Sequence, residues 1–331
     1  LTRVLCAGSF VLDIVAHGLP YIAQPGELMY APNGIDVGVG GHSANVAIDL
    51  AQLGLRDVAA AGSVGDGLFG DFVEDELGRA EVKGYVERQA GVHTAKNIAL
   101  VVDGEDRRFI AELTANTLLS VDHVVRALDD ARPQAFYLGT VGGLRRIDES
   151  LVEVLEHARR LGCITVVDVI MPTGFGWDRL TSAMPLIDVL HCNELEGVTM
   201  TGNGDAAEAV DVLVAEGVGL AIITRGSEGL VAAAGGLKLE MPAFVVDAVD
   251  PTGAGDAFCA GAIRALLEAG LSRNRLATIP LDVLEGVLLE GEAAGAACVT
   301  APGATTAVTR EAVEGLIRAQ GSTVLSGVRV P

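Results

Sequence analysis

Short β-branched apolar runs alternate with amphipathic helical patterns along most of this chain, and few architectures accommodate that rhythm. The runs Val4–Ala7, Val58–Ala61, Phe136–Leu138, Ile164–Asp168, Val189–His191, Leu220–Thr224 and Leu230–Ala234 read as strands. Between and after them, 44–53, 69–77, 122–130, 149–161, 206–216, 256–269, 284–299 and 310–318 carry helical periodicity. Strand then helix, repeated, predicts an α/β fold with a doubly wound, mostly parallel sheet flanked by helices. The chain has 331 residues, half of them hydrophobic but only 4% aromatic, so Val, Ile, Leu and Ala must build the core. The expectation is a single domain over 1–331.

Two segments break the alternation. From about 11 to 39 there is no helical period, and Pro20, Pro25 and Pro32 punctuate the run. From about 94 to 111 two strand-like pieces, NIALVV and RRFIAE, flank the turn DGED. Together these are read as a discontinuous small β-sheet lid over one end of the main sheet; plain edge hairpins are the alternative.

The net charge of −21 argues against nucleic acid or an anionic membrane as partner, since either needs a basic face. An anionic small ligand would have to be held locally, by helix N-termini or metal ions. Five cysteines all sit in apolar runs without metal-ligand or CxxC spacing, as expected of buried thiols in a cytoplasmic protein. The first apolar run is interrupted by Asp13, too short for a signal peptide or a span, and reads as a strand.

The most informative stretch is DPTGAGDAF, 250–258, at the threshold of an apolar helix. A helix start needs one cap residue. Glycines here instead leave backbone N–H groups unshielded, a ready site for an anion. Asp256 would then be a carboxylate in an anion site, which makes sense if it does chemistry; alone, it could equally be a first-turn acid complementing the helix dipole. A second stretch, GGHSANVA, lets a ligand approach the backbone at Gly40 and Gly41, with Asn45 as a cap or local backbone partner in the plainer reading. The Gly38–Ser43 stretch lacks the third glycine of a dinucleotide fingerprint and follows no first strand. There is no GxxxxGK[ST] and no HExxH or Cys/His cluster, which disfavours a Walker-type NTPase and a zinc site.

Taken in order, Gly40-Gly41-x-x-x-Asn45, Asn193-x-x-Glu196 and Asp250-x-Thr252-Gly253-Ala254-Gly255-Asp256 resemble the ribokinase-like (PfkB) family of carbohydrate kinases. The resemblance implies ATP- and Mg²⁺-dependent phosphorylation of a primary hydroxyl on a sugar or sugar-like substrate. It implies Asp256 as catalytic base and the backbone of Gly253, Ala254 and Gly255 as anion hole. Asp13, Gly41, Asn45 and Asn116 correspond to substrate contacts. Asn193, Thr224, Arg225 and Gly226 correspond to the nucleotide side, with a surface arginine as the alternative for Arg225. Glu196 corresponds to a magnesium ligand acting through water, and Asp250 and Thr252 to a monovalent-cation loop for K⁺, with 299–304 as its partner loop. The small-residue run 293–297 would admit adenine or serve close helix packing.

The chain departs from the family pattern in three places. Pro251 splits Asp250 from Thr252. The segment YLGTVGG, 137–143, carries no acidic sugar contact. Glu292 stands where a neutral adenine-side residue is usual. Ribose and the nucleotide preference are therefore open. A nucleoside kinase is an alternative, with Ile14, Val15, Val37 and Val39 as base walls or lid core. So is a 2-keto-3-deoxygluconate kinase, with Arg107 and Arg108 as carboxylate partners or solvated side chains. From other classes come a non-catalytic sugar-binding regulator and a nicotinamide-dependent oxidoreductase. Apolar lid strands suggest a homodimer.

Overall fold

The computed structural model describes residues 3–102, 108–174 and 176–330. Thirteen strands are formed among these residues: β1 Val4–Ala7, β2 Val11–Leu19, β3 Ile35–Gly40, β4 Val58–Gly65, β5 Lys83–Gln89, β6 Lys96–Val102, β7 Arg108–Glu112, β8 Ala135–Val141, β9 Ile164–Val169, β10 Val189–Asn193, β11 Leu220–Thr224, β12 Leu230–Ala234 and β13 Leu237–Met241. Nine of them make one sheet in the order β13-β12-β11-β10-β9-β8-β1-β4-β5. Every pair from β11 to β5 is parallel, and β12 and β13 are added antiparallel. The parallel strands inside the sheet, from β11 to β4, are buried on both faces, as their apolar runs require.

Both elements of the sheet that the apolar pattern did not disclose are its edges. β5 reads KGYVERQ and β13 reads LKLEM. Edge strands carry charge because one side of their backbone faces solvent, and charge blunts pairing with other chains. The pattern that marks a core strand is absent there for a physical reason.

The chain leaves β1 for β4 and β5 on one side, then returns to build β8 through β11 on the other. The sheet order therefore reverses between β1 and β8, and ligands of open α/β sheets sit outside the carboxyl ends of the strands at such a point. Ser9, just past β1, and Thr140 on β8 meet there, their hydroxyls 2.6 Å apart. Thr140 is β-branched yet sits at φ 64°, where such a residue is a genuine outlier. The β8–β9 register shifts across the same position, between Leu138 and Val141.

A separate four-stranded sheet, ordered β3-β2-β6-β7, is built from the two segments that broke the alternation. The DGED turn between β6 and β7 lies outside the described residues. Ala16, Leu19 and Val102 form its small core, and Met29, Ala31 and Leu100 pack on it. Ile14, Val15 and Val37 are not part of that core, and Val39 packs on the main one. On the outside, Ile35, Val37, Phe109 and Ile110 are each more than half exposed.

The helix Ala254–Glu268 carries the DPTGAGDAF signal and lies against the helix Leu281–Cys298. Small residues bring the two together: a β-carbon at Gly291 would lie 2.8 Å from the Phe258 ring, and one at Gly295 3.2 Å from the Ala254 carbonyl oxygen. Phe258, only 3% exposed, is the large side chain in that seam. Truncating such a ring typically costs about 3–5 kcal/mol. The run 293–297 thus divides its roles. Ala293, Ala294 and Ala297 are core, whereas Gly295 and Ala296 face a cavity.

Candidate functional site

Gly253 caps the Ala254–Glu268 helix in the left-handed region at φ 81°. Any side chain there would collide with Ala304, 2.6 Å from the β-carbon position, as well as strain the backbone. The N–H groups of Gly253 and Gly255 have no backbone acceptor among the described residues, whereas Ala254 donates to the Pro251 carbonyl at 3.3 Å. Two of the three expected anion-hole donors are therefore unengaged, and the third is held by a long bond. Asp256 follows in the first turn, buried at 7% exposure.

Asn45 does not act as a helix cap. Gly41 occupies the cap position of the His42–Gln52 helix and makes no side-chain bond. The Asn45 amide reaches across 211 residues instead and donates to Asp256 Oδ2 at 2.8 Å. The other oxygens of this pair, Asn45 Oδ1 and Asp256 Oδ1, are buried without a hydrogen-bond partner, an arrangement expected of a site that awaits a ligand.

Asp13 belongs to the same neighbourhood. It pairs with Gly38 on β3 and lies so close to Gly40 that a β-carbon there would sit 1.9 Å from its Oδ2. Gly40 is thus explained first by the carboxylate it must clear, and the adjacent Gly41, at φ 91°, by the Ser9 carbonyl oxygen 2.5 Å from its β-carbon position. Burial pushes Asp13 up to about 6, against a lowering hydrogen bond with Asn97, and Asp256 and Asp250 add to the rise. Burial likewise raises Asp256, with His42 acting in the opposite direction. Asn116 is buried; its Oδ1 accepts from the Phe10 N–H at 3.1 Å, and its Nδ2 has no partner.

The NxxE stretch forms a short helix, Glu194–Thr201, which the sequence pattern did not disclose. Asn193 and Glu196 close a reciprocal capping box, each side chain accepting the other's backbone N–H at 2.9 Å. The cap explains why these two residue types stand three apart. It also turns Glu196, buried and raised by that burial, into a fixed carboxylate at the end of β10.

Beside this lies a cavity of about 400 Å³, lined by Thr224, Gly226, Val246, Gly255, Gly295 and Ala296 among others. Glu292 lines it too and is buried without a hydrogen-bond partner among the described residues. Its carboxyl is pushed up to about 8 by burial, against the opposing charge of Arg225. Arg225 is not on the cavity wall. It is mostly buried, with Nε unpartnered, and pairs with Glu240 at 3.7 Å.

The Asp250 carboxylate shapes the preceding loop. Oδ1 accepts from the Thr252 N–H and hydroxyl, and Oδ2 from the Gly303 N–H at 3.1 Å. The Cys298 thiol donates to the carbonyls of Thr252 and Ala304. Pro251 is accommodated without disturbing these bonds. Arg108 opens β7 on the exposed side of the small sheet, and Arg107 lies outside the described residues.

Sequence reasoning missed one group of residues entirely. Asp168, at the end of β9, accepts from His42 Nδ1 (3.0 Å) and Tyr137 OH (2.9 Å) at Oδ2, and from His191 Nδ1 (2.9 Å) at Oδ1. His191 continues to the Thr224 hydroxyl at 3.2 Å and stacks on Phe258. The ligand atoms of Asp168, His191 and Cys259 lie within 4.8 Å of one another, although no spacing in the chain announces it. Burial holds the Cys259 thiol well above its ordinary value, which disfavours the thiolate a zinc ion needs.

A family model described as pfkB family carbohydrate kinase matches residues 1–311. A fructokinase from Klebsiella pneumoniae is 28% identical over 318 residues, covering 92% of this chain and 96% of that protein. A ribokinase from Haemophilus influenzae is 26% identical over 312 residues, covering 91% and 93%. Among solved structures, a fructokinase with bound ATP from Xylella fastidiosa superposes with a TM-score of 0.82 at 25% identity, covering 97% of this chain and all of that one. An aminoimidazole riboside kinase from Salmonella enterica shares the fold at a TM-score of 0.74 and 22% identity, covering 96% of this chain and 100% of that one.

Proposed function

This chain belongs to the pfkB family of carbohydrate kinases and is a phosphotransferase with an alcohol acceptor, and from that premise we propose that it transfers the γ-phosphoryl group of ATP to a primary hydroxyl of a sugar or sugar-like substrate. The observation that carries the reading is the meeting of Asp256, Asn45 and the unengaged N–H groups of Gly253 and Gly255 at one helix N-terminus.

Asp256 is the proposed base. It takes the proton of the attacking hydroxyl, while Asn45 holds one of its oxygens so that the other faces the substrate. Asp13 and the unpartnered Asn116 amide bind and orient substrate hydroxyls from the small sheet and the β1 side. The glycine N–H groups and the helix dipole stabilise the charge that develops on the moving phosphoryl group.

The cavity fits a nucleotide: it ends on the anion-binding helix terminus and is walled by small and apolar residues. Thr224 and Gly226 would face its phosphates. Arg225, tied to Glu240, acts on the same region as charge and not as wall. Glu196 fits a magnesium ion held through water, since it is a fixed oxygen donor at that end of the sheet. When bound, ATP supplies the phosphoryl group and Mg²⁺ neutralises its charge. The Asp250–Thr252 loop is the proposed K⁺ site. The four-stranded sheet acts as a lid that excludes water, and its exposed Ile35, Val37 and Ile110, which share one face of it, support a homodimer through that face.

The test is ADP release with Mg²⁺ and ATP against fructose, ribose, 2-keto-3-deoxygluconate, adenosine, inosine and pseudouridine, with and without K⁺. One substrate should drive release in the wild type. Binding of a sugar without any ADP release would move the reading to a sugar-binding regulator.

A further inference from the structure

Asp256 has an electrostatic difficulty. A base must be ionised before it can accept a proton, yet this carboxylate is buried, and Asp168 nearby adds to the rise that burial causes. Asp13 and Asp49 interact with the same charge. Something has to keep the carboxylate form in place.

His42 lies where that is possible. Its Nδ1 is 3.0 Å from Asp168 Oδ2 and 3.5 Å from Asp256 Oδ1, so one ring nitrogen faces both carboxylates. The ring is held at both ends of the residue: the backbone N–H donates to Ser9 Oγ at 3.1 Å, and the side chain is tied to Asp168. Asp168 is itself immobilised by Tyr137 and His191. His42 is also the first residue of its helix, where the dipole disfavours a cation, so the helix gains nothing from a charge there.

We propose that the Asp168–His42 pair is a positioning element of the catalytic centre, an imidazolium clamped by a buried carboxylate that neutralises and aims Asp256. This rests on the reading of Asp256 as base. The charged groups facing the ring come from three elements: Asp168 on β9, Asp256 on its helix and Glu196 on the capped helix, with the neutral Tyr137 hydroxyl on β8 sharing Asp168. Burial works against the cation, but the carboxylates of Asp256 and Asp168 outweigh it and raise His42 to about 10. Asp168 is in turn held well below the usual carboxylate range by His191 and His42, against its burial.

The experiment compares kcat/KM against pH, from 5.5 to 9, in wild type, His42→Gln, His42→Lys, Asp168→Asn and Asp256→Asn. His42→Gln should move the acid limb upward by about one pH unit or more, a roughly tenfold loss on the acid side of the limb that vanishes as pH rises above it. His42→Lys, which restores a cation, should return the limb toward its wild-type position. Histidine-ring NMR, with the His42 signal identified by its loss in His42→Gln, should show an imidazolium through pH 8 in wild type and a ring that titrates near neutrality in Asp168→Asn. A uniform loss in His42→Gln at every pH, or a His42 ring already neutral at pH 7.5, overturns the proposal. An active Asp256→Asn would instead remove the base reading on which it rests, so the two failures are distinguishable.

Discussion

Glu292 offers a prediction whose size follows from its surroundings. The carboxyl is buried at the cavity wall, has no hydrogen-bond partner among the described residues, and feels Arg225 as its one opposing charge. The folded protein therefore keeps a proton on Glu292 until about pH 8, whereas the unfolded chain releases it near 4.5. A group raised in this way contributes its full stability below the unfolded value and loses it as pH climbs through the folded one. At about 1.4 kcal/mol per pH unit, the gap sets a ceiling of about 5 kcal/mol. Water entry and local relaxation reduce such values in practice, and half of the ceiling is about 3–4 °C in Tm for a chain of this size. Glu292→Gln keeps the shape and removes the titration. Thermal unfolding of both proteins from pH 4.5 to 8.5 should give matching Tm values at the acid end and a mutant more stable by a few degrees at the alkaline end. A Tm difference that does not change with pH would refute the reasoning, because it would mean that Glu292 ionises alike in both states.

Three further outcomes follow from the site. Asp13→Asn should raise the sugar KM roughly tenfold or more with a smaller change in kcat, as expected for a lost hydrogen bond to a charged acceptor. In wild type the sugar affinity should weaken as pH falls below about 6, where Asp13 takes up its proton, and a pH series of KM checks this. Ala296→Trp, which fills the cavity beside Gly295, should abolish ADP binding by calorimetry while leaving sugar binding in place.

The parts of the molecule that were legible in sequence are those whose physics is local. Buried central strands must be apolar, so β1, β4, β8, β9, β10, β11 and β12 stood out, and the helix start at 253–256 was visible because its glycines break the apolar pattern just before the helix. The edge strands β5 and β13 were not visible, since solvent on one side removes the apolar signature. The small sheet was legible as a break in rhythm, with segments matching the strands found. Asn45 looked like a cap or a sugar contact, but its partner is a carboxylate 211 positions away, and no local pattern encodes that. The Asp168 cluster is the extreme case: His42, Tyr137, Asp168 and His191 come from four elements that only the sheet order brings together. Thr140 at positive φ was equally hidden, because nothing in a threonine's neighbours announces a left-handed backbone.

In the proposed reaction Asp256 takes the substrate proton at the N-terminus of the Ala254–Glu268 helix. The most direct measurement is transfer of labelled γ-phosphate from ATP to the responding sugar, in wild type and Asp256→Asn, at saturating concentrations of both substrates. A kcat lowered by about 10²–10⁴-fold is expected in the variant, with sugar and ADP affinities and Tm close to wild type. Transfer at the wild-type rate by Asp256→Asn would contradict it.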